Sequence, residues 1–108
     1  MKLVKAVVRP EKLSEVLAKL NEEGFPAATR MPILGRGKQQ GLRAGNVQYD
    51  EIPKEMLFIV VSDADEAKVI NIISEVAKTG KKGAYGDGKI FVLPVEKCIT
   101  ISSGDVER

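Results

Sequence analysis

The apolar positions of this chain alternate between two periods, and the alternation predicts its elements. Leu3–Val8 is a short, largely β-branched run and predicts a strand. Pro10 and Glu11 suit a helix start, and Leu13, Val16, Leu17 and Leu20 then fall at i, i+3, i+4 and i+7, which gives one apolar helical face. Gly24 ends that helix. A strand follows near Ala27–Leu34, where Pro32 implies an edge position or a bulge. Met56–Val61 is apolar throughout and predicts a central strand. Asp63 and Glu66 suit the cap of a second helix, whose buried face is Val69, Ile72, Ile73 and Val76. Lys89–Val95 and Lys97–Ser102 predict two more strands, with Phe58 and Phe91 expected in the core and 103–108 as a polar tail.

Between these runs the pattern fails twice. Residues 35–54, GRGKQQGLRAGNVQYDEIPK, hold four glycines and little apolar periodicity, and so read as a long loop. TGKKGAYGDG is the other irregular stretch. The resulting order is β-α-β, loop, β-α-β and an extra C-terminal strand. MKLVKAVVRPEKLSEVLAKLNEEG and MLFIVVSDADEAKVINIISEVAKTG share one plan, a weak internal repeat. Two such units interleave as an α+β, ferredoxin-like fold with both helices on one face of an antiparallel sheet. The apolar residues on both faces of Met56–Val61 predict that another subunit covers the bare face.

Composition narrows the function. At 108 residues the chain fits a single domain, 1–108. A net charge of +2 is too small to argue for nucleic acid or a membrane surface. No apolar run approaches the roughly 20 residues of a membrane span. The single cysteine, Cys98, cannot form an internal disulfide, so a reducing cytoplasm is expected. Without histidine there is no serine– or cysteine–histidine triad. The aromatics Phe25, Tyr49, Phe58, Tyr85 and Phe91 do not form the stacking pattern of an RNA-recognition sheet.

The chemistry lies in the two irregular stretches. GAYGDGKI, residues 83–90, fits the phosphate-binding P-loop pattern until Ile90, which stands where a hydroxyl is required. A P-loop also needs a strand before it and a helix after it, and here the order is reversed. Two readings remain for Gly86-Asp87-Gly88-Lys89: a plain glycine connection, or an anion nest of backbone amides with Lys89 adding charge. In GRGKQQG, residues 35–41, Lys38 could pair with phosphate and the Gln39 carbonyl could ligate magnesium; a solvated, soluble loop explains the same residues.

Together these motifs resemble the PII signalling proteins. TGKKGAYGDGKIFVLPV resembles their C-terminal signature, GRGKQQG the start of their long T loop, and MKLVKAVVRPEKLSEVLAKL their first strand and helix, including the Arg9-Pro10 step. GRGKQQG…YDEIPK with the ending ITISSG is most similar to the nitrogenase-regulating NifI branch, first subunit type. The resemblance implies a trimer with ATP or ADP in clefts between subunits. By position, Gly86, Asp87, Gly88 and Lys89 would wrap the phosphates, Thr29 would reach the adenine, and Gly35, Gly37 and Lys38 would close the site. Gln39 would ligate magnesium, and 2-oxoglutarate would be held by Gln39, Gln40, Gly41 and Lys54. Arg43 and Tyr49, on a T loop of about 36–53, would meet a target. That target would be the dinitrogenase component of nitrogenase, bound by a homotrimer or by a hetero-oligomer with a second PII paralogue.

Three departures stand against the family pattern. Thr100 and Ser102 occupy positions where most members carry ATP-gripping arginines. The spacer before Gly86 is longer, adding Gly83, Ala84 and Tyr85. Tyr49 lies in VQYDE and not in the R-G-A-E-Y context of uridylylation. The alternatives to a sensor are a ferredoxin-like regulator of another target and a small phosphate-hydrolysing enzyme. For the latter Asp87 is the one acid in a candidate phosphate loop.

Overall fold

The computed structural model describes residues 1–38 and 49–108. β1 (Lys2–Val8) leads through a single 3-10 turn at Pro10–Lys12 into α1 (Leu13–Glu22). β2 (Thr29–Lys38) and β3 (Tyr49–Val61) follow, then a 3-10 turn at Asp63–Asp65 and α2 (Glu66–Ala77). β4 (Gly88–Pro94) completes a sheet of order β2-β3-β1-β4, antiparallel throughout, as the ferredoxin-like reading requires. β3 is central, and Pro32 sits on the edge strand β2, where a missing N–H is tolerated.

Helix α1 ends as Gly24 predicts. That residue takes φ +94°, its N–H donates to Asn21 O at 3.1 Å, and the Phe25 N–H donates to Leu20 O at 2.7 Å. The pair satisfies two end carbonyls and turns Phe25 back toward the core. That core lies between the helices and one sheet face: Val4, Ala6 and Val8 of β1, Leu57, Ile59 and Val61 of β3, and the periodic positions Leu13, Val16, Leu20, Val69 and Ile73.

The structure corrects several expectations. Phe58 and Phe91 are not in the core. Both pair with Lys5 across the sheet, on the face away from the helices, and Phe91 is 50% exposed. Met56–Val61 of β3 and Ile90–Leu93 of β4 are apolar on both faces, so alternation does not tell which face meets the helices. Met56, Val60, Met31 and Leu93 extend this second apolar face. The segment expected as loop from 36 to 53 is shorter, because β2 and β3 stay paired to Lys38↔Tyr49. Asp63 does not cap α2 through its side chain; it accepts from the Met1 amino group at 3.0 Å. The extra strand and the tail form one hairpin, β5 (Cys98–Ile99) against β6 (Val106–Glu107), joined by a turn on which Ile101 is 98% exposed.

Candidate functional site

A helix, α2, precedes residues 79–87 and a strand, β4, follows them, so this loop lacks P-loop geometry. It is built instead around one carboxylate. Asp87 accepts from the Thr79 hydroxyl at 2.6 Å, the Thr79 N–H at 3.0 Å and the Ala84 N–H at 2.7 Å. Arg9 adds an Nε bond at 3.1 Å from the end of β1. The Thr79 hydroxyl first, then the two amides and Arg9, hold the Asp87 carboxyl well below the usual carboxylate range. Such an acid is a poor general base, which argues against the hydrolytic reading.

Glycine is required at two positions of this loop. Gly86 takes φ +94° and Gly88 φ +114°, and a Cβ on Gly88 would meet the Val7 carbonyl oxygen at 1.8 Å. The backbone of β4 therefore starts against β1 with no room for a side chain. Lys89 follows, opposite Val7 on the sheet face away from the helices. Lys81, Lys82 and Lys89 make no ion pair among the described residues, whereas Lys78 pairs with Glu75 at 3.8 Å. Beside the loop, Ile70, Ile73 and Ala77 of α2 and Ile90 of β4 line an open cleft of about 700 Å³, with Lys82 and Lys89 at its rim.

Among the described residues, the loop meets the base of the β2–β3 ribbon at Lys54. Lys54 Nζ donates to Gly86 O at 2.6 Å. Its stem crosses Gly35, where a Cβ would lie 3.3 Å from Lys54 Cγ. Gly35, Lys54 and Gly86 thus converge from three segments. Gly37, Lys38 and Tyr49 lie at the far end of the same ribbon, the last two as its final pair. Thr29 is not brought to this point: it pairs with Phe58, four residues or about 13 Å along β2 from the partner of Lys54. Thr100 and Ser102 sit on the turn of the hairpin, where the Thr100 N–H donates to Asp105 O at 2.9 Å. Gln39, Gln40, Gly41 and Arg43 lie outside the described residues.

Sequence reading missed Arg9, Thr79 and Ala84 as partners of the loop. Local pattern carried no signal for the first, because Arg9 and Asp87 are 78 residues apart. As a cradle the loop fits a polyphosphate: positive-φ glycines beside a strand start, three lysines without ion-pair partners among the described residues, and its one acid neutralised by internal donors.

Comparison with known proteins agrees with this architecture. Residues 1–105 match the family model for nitrogen regulatory protein P-II. The chain is 52% identical to the nitrogen fixation nifHD region GlnB-like protein 1 of Methanothermobacter marburgensis, over 94% of this chain and 93% of that protein. It is 48% identical to the nifHD2 region GlnB-like protein 1 of Methanosarcina barkeri, over 97% of each. It is 39% identical to the nifHD region GlnB-like protein 2 of Methanothermococcus thermolithotrophicus, over 97% of this chain and 94% of that protein.

Proposed function

The chain belongs to the P-II family of nitrogen regulatory proteins, and from that premise we propose that it senses ATP or ADP together with 2-oxoglutarate and controls nitrogenase by direct binding. The observation that carries this reading is the Lys54–Gly86 bond. It ties the base of the ribbon leading into residues 39–48 to the loop that fits phosphate. A ligand that changes one end of this tie changes the other.

In this reading Gly86, Asp87, Gly88 and Lys89 hold the phosphates, the glycines through backbone amides. Gln39 supplies an oxygen to magnesium, which when bound neutralises charge between triphosphate and dicarboxylate. Lys54 carries the charge that a dicarboxylate needs at its far end. Thr29 belongs to a cleft completed by a neighbouring copy, because within one chain it stands away from the loop. The apolar face of Met56, Phe58, Val60, Phe91 and Leu93 supports assembly as a trimer. Relatives named GlnB-like protein 1 and protein 2 from nifHD regions support a second paralogue as an alternative partner, and nitrogenase as the target.

The protein acts as a two-state regulator and not as a catalyst: 2-oxoglutarate needs only a differential affinity of about 1–3 kcal/mol between the loop states to switch binding. The test is nitrogenase activity with the purified protein and MgATP while 2-oxoglutarate is titrated. Inhibition that is relieved as 2-oxoglutarate rises is expected. Inhibition indifferent to 2-oxoglutarate, or no inhibition with or without the protein 2 paralogue, overturns the proposal.

A further inference from the structure

Beside its bond to Asp87, Arg9 makes a second contact with a direct consequence for the loop. Its Nη2 donates to the Tyr85 carbonyl oxygen at 2.8 Å while Nε donates to Asp87 Oδ1 at 3.1 Å. The guanidinium also fills the space where a side chain of residue 86 would stand, with Nη2 3.2 Å from an ideal Cβ on Gly86. One planar fork therefore reads three consecutive residues of the loop: the carbonyl of 85, the absent side chain of 86 and the carboxylate of 87.

The Tyr85–Gly86 peptide is trans, and in a trans peptide the C=O and N–H point in opposite directions. With Tyr85 O drawn toward Arg9, the Gly86 N–H is directed away from the guanidinium. Lys54 does the same to the next peptide by holding Gly86 O, and the Asp87 N–H closes the turn onto Ala84 O at 3.2 Å. The origin of Arg9's aim is local. Pro10 restricts the residue before it to extended backbone, and Arg9 takes φ −63° and ψ 138° at the end of β1, one residue past the Val8↔Gly88 pair. The Arg9-Pro10 step of the sequence thus sets a side chain under a loop that lies 76 residues further along.

We infer that Arg9 is the positioning residue of the phosphate loop: it orients the Gly86 amide toward a bound polyphosphate without itself touching the anion. The inference rests on the loop being a phosphate site, as proposed above. Lysine replaces it only in part, because a single ammonium lacks the fork that spans Tyr85 O and Asp87 together.

The test is calorimetric titration of the full-length wild type, Arg9→Met and Arg9→Lys with MgATP and with inorganic triphosphate, alongside ¹H–¹⁵N spectra that follow the Gly86 amide. Wild type is expected to bind with a ligand-induced shift of the Gly86 resonance. Arg9→Met is expected to bind at least tenfold more weakly with that shift lost, and Arg9→Lys to fall between. If Arg9→Met does not fold, Arg9→Lys carries the comparison. A folded Arg9 variant with wild-type affinity and an intact Gly86 shift overturns the inference alone. A wild type that binds neither compound overturns the phosphate reading, and the inference with it.

Discussion

The substitution Gly88→Ala isolates the contact on which β4 and the loop before it are aligned. Two costs add. An L-residue held at positive φ, here +114°, is disfavoured by about 1–2 kcal/mol. The new methyl would also stand 1.8 Å from the Val7 carbonyl oxygen, far inside the roughly 3.5 Å of van der Waals contact. The neighbour is backbone in a central strand and has no rotamer to change. The first rung of β4 must therefore detach from Val8, at about 1 kcal/mol for each backbone hydrogen bond given up. The sum is about 3 kcal/mol. Gly80→Ala is the control: φ is +63° with nothing within 4 Å, so only the conformational cost applies, about 1 kcal/mol. Urea unfolding followed by circular dichroism, at matched protein concentration because the proposed assembly would add to apparent stability, measures both. Equal losses for the two variants, within about 0.5 kcal/mol, would refute the close approach of β4 to β1 at this point.

Three further outcomes are expected, two from the site and one from the second apolar face. Asp87 is more acidic in the folded chain than its ordinary value of 3.8, so the stability it contributes is complete above that pH and is lost as pH falls below it; thermal melts across the acid range should show this loss and Asp87→Asn should flatten it, with Asp63→Asn, lowered by its bond to the Met1 amino group, as a comparison. Lys54→Ala removes the bond to Gly86 O and the charge for a dicarboxylate, and should abolish 2-oxoglutarate binding in calorimetry while MgATP still binds; retained 2-oxoglutarate affinity would refute the assigned role. Val60→Asp places a charge on the second apolar face at a residue 42% exposed in one chain, and should yield folded monomer in sedimentation velocity, whereas an unchanged mass would place the assembly interface elsewhere.

Much of the fold was legible because burial and periodicity coincide. Of the predicted helix faces, Leu13, Val16, Leu20, Val69 and Ile73 are buried in the core, and Leu17, Ile72 and Val76 pack partly buried against it. Gly24 and Pro32 punctuated the chain for reasons of φ and a missing donor, and the structure uses both as expected. The failures have physical causes too. Phe58 and Phe91 were misplaced because a strand apolar on both faces does not reveal which one meets the helices. The ends of β2 and β3 read as loop because Arg36 and Gly37 carry no strand propensity; pairing with Glu51 and Asp50 holds them extended. Ile99 and Val106 gave too short a pattern to reveal the hairpin. In the candidate site, motif points to Gly86 and Gly88 and the resemblance to Gly35 and Lys54, and the structure brings Gly35, Lys54 and Gly86 together. The inward turn of Asp87 was not, because its partners Thr79, Ala84 and Arg9 come together only when β1, α2 and β4 are assembled.

In the proposed function, the loop at Gly86–Lys89 and the base of the β2–β3 ribbon form one ligand-responsive unit. Calorimetry tests it most directly: titrate 2-oxoglutarate into the protein alone, and then into the protein saturated with MgATP. No binding is expected in the first titration and clear binding in the second, because in the proposed function the dicarboxylate needs both Lys54 and the nucleotide's magnesium. Binding of 2-oxoglutarate that is equally strong without MgATP, or absent in both titrations, would contradict it.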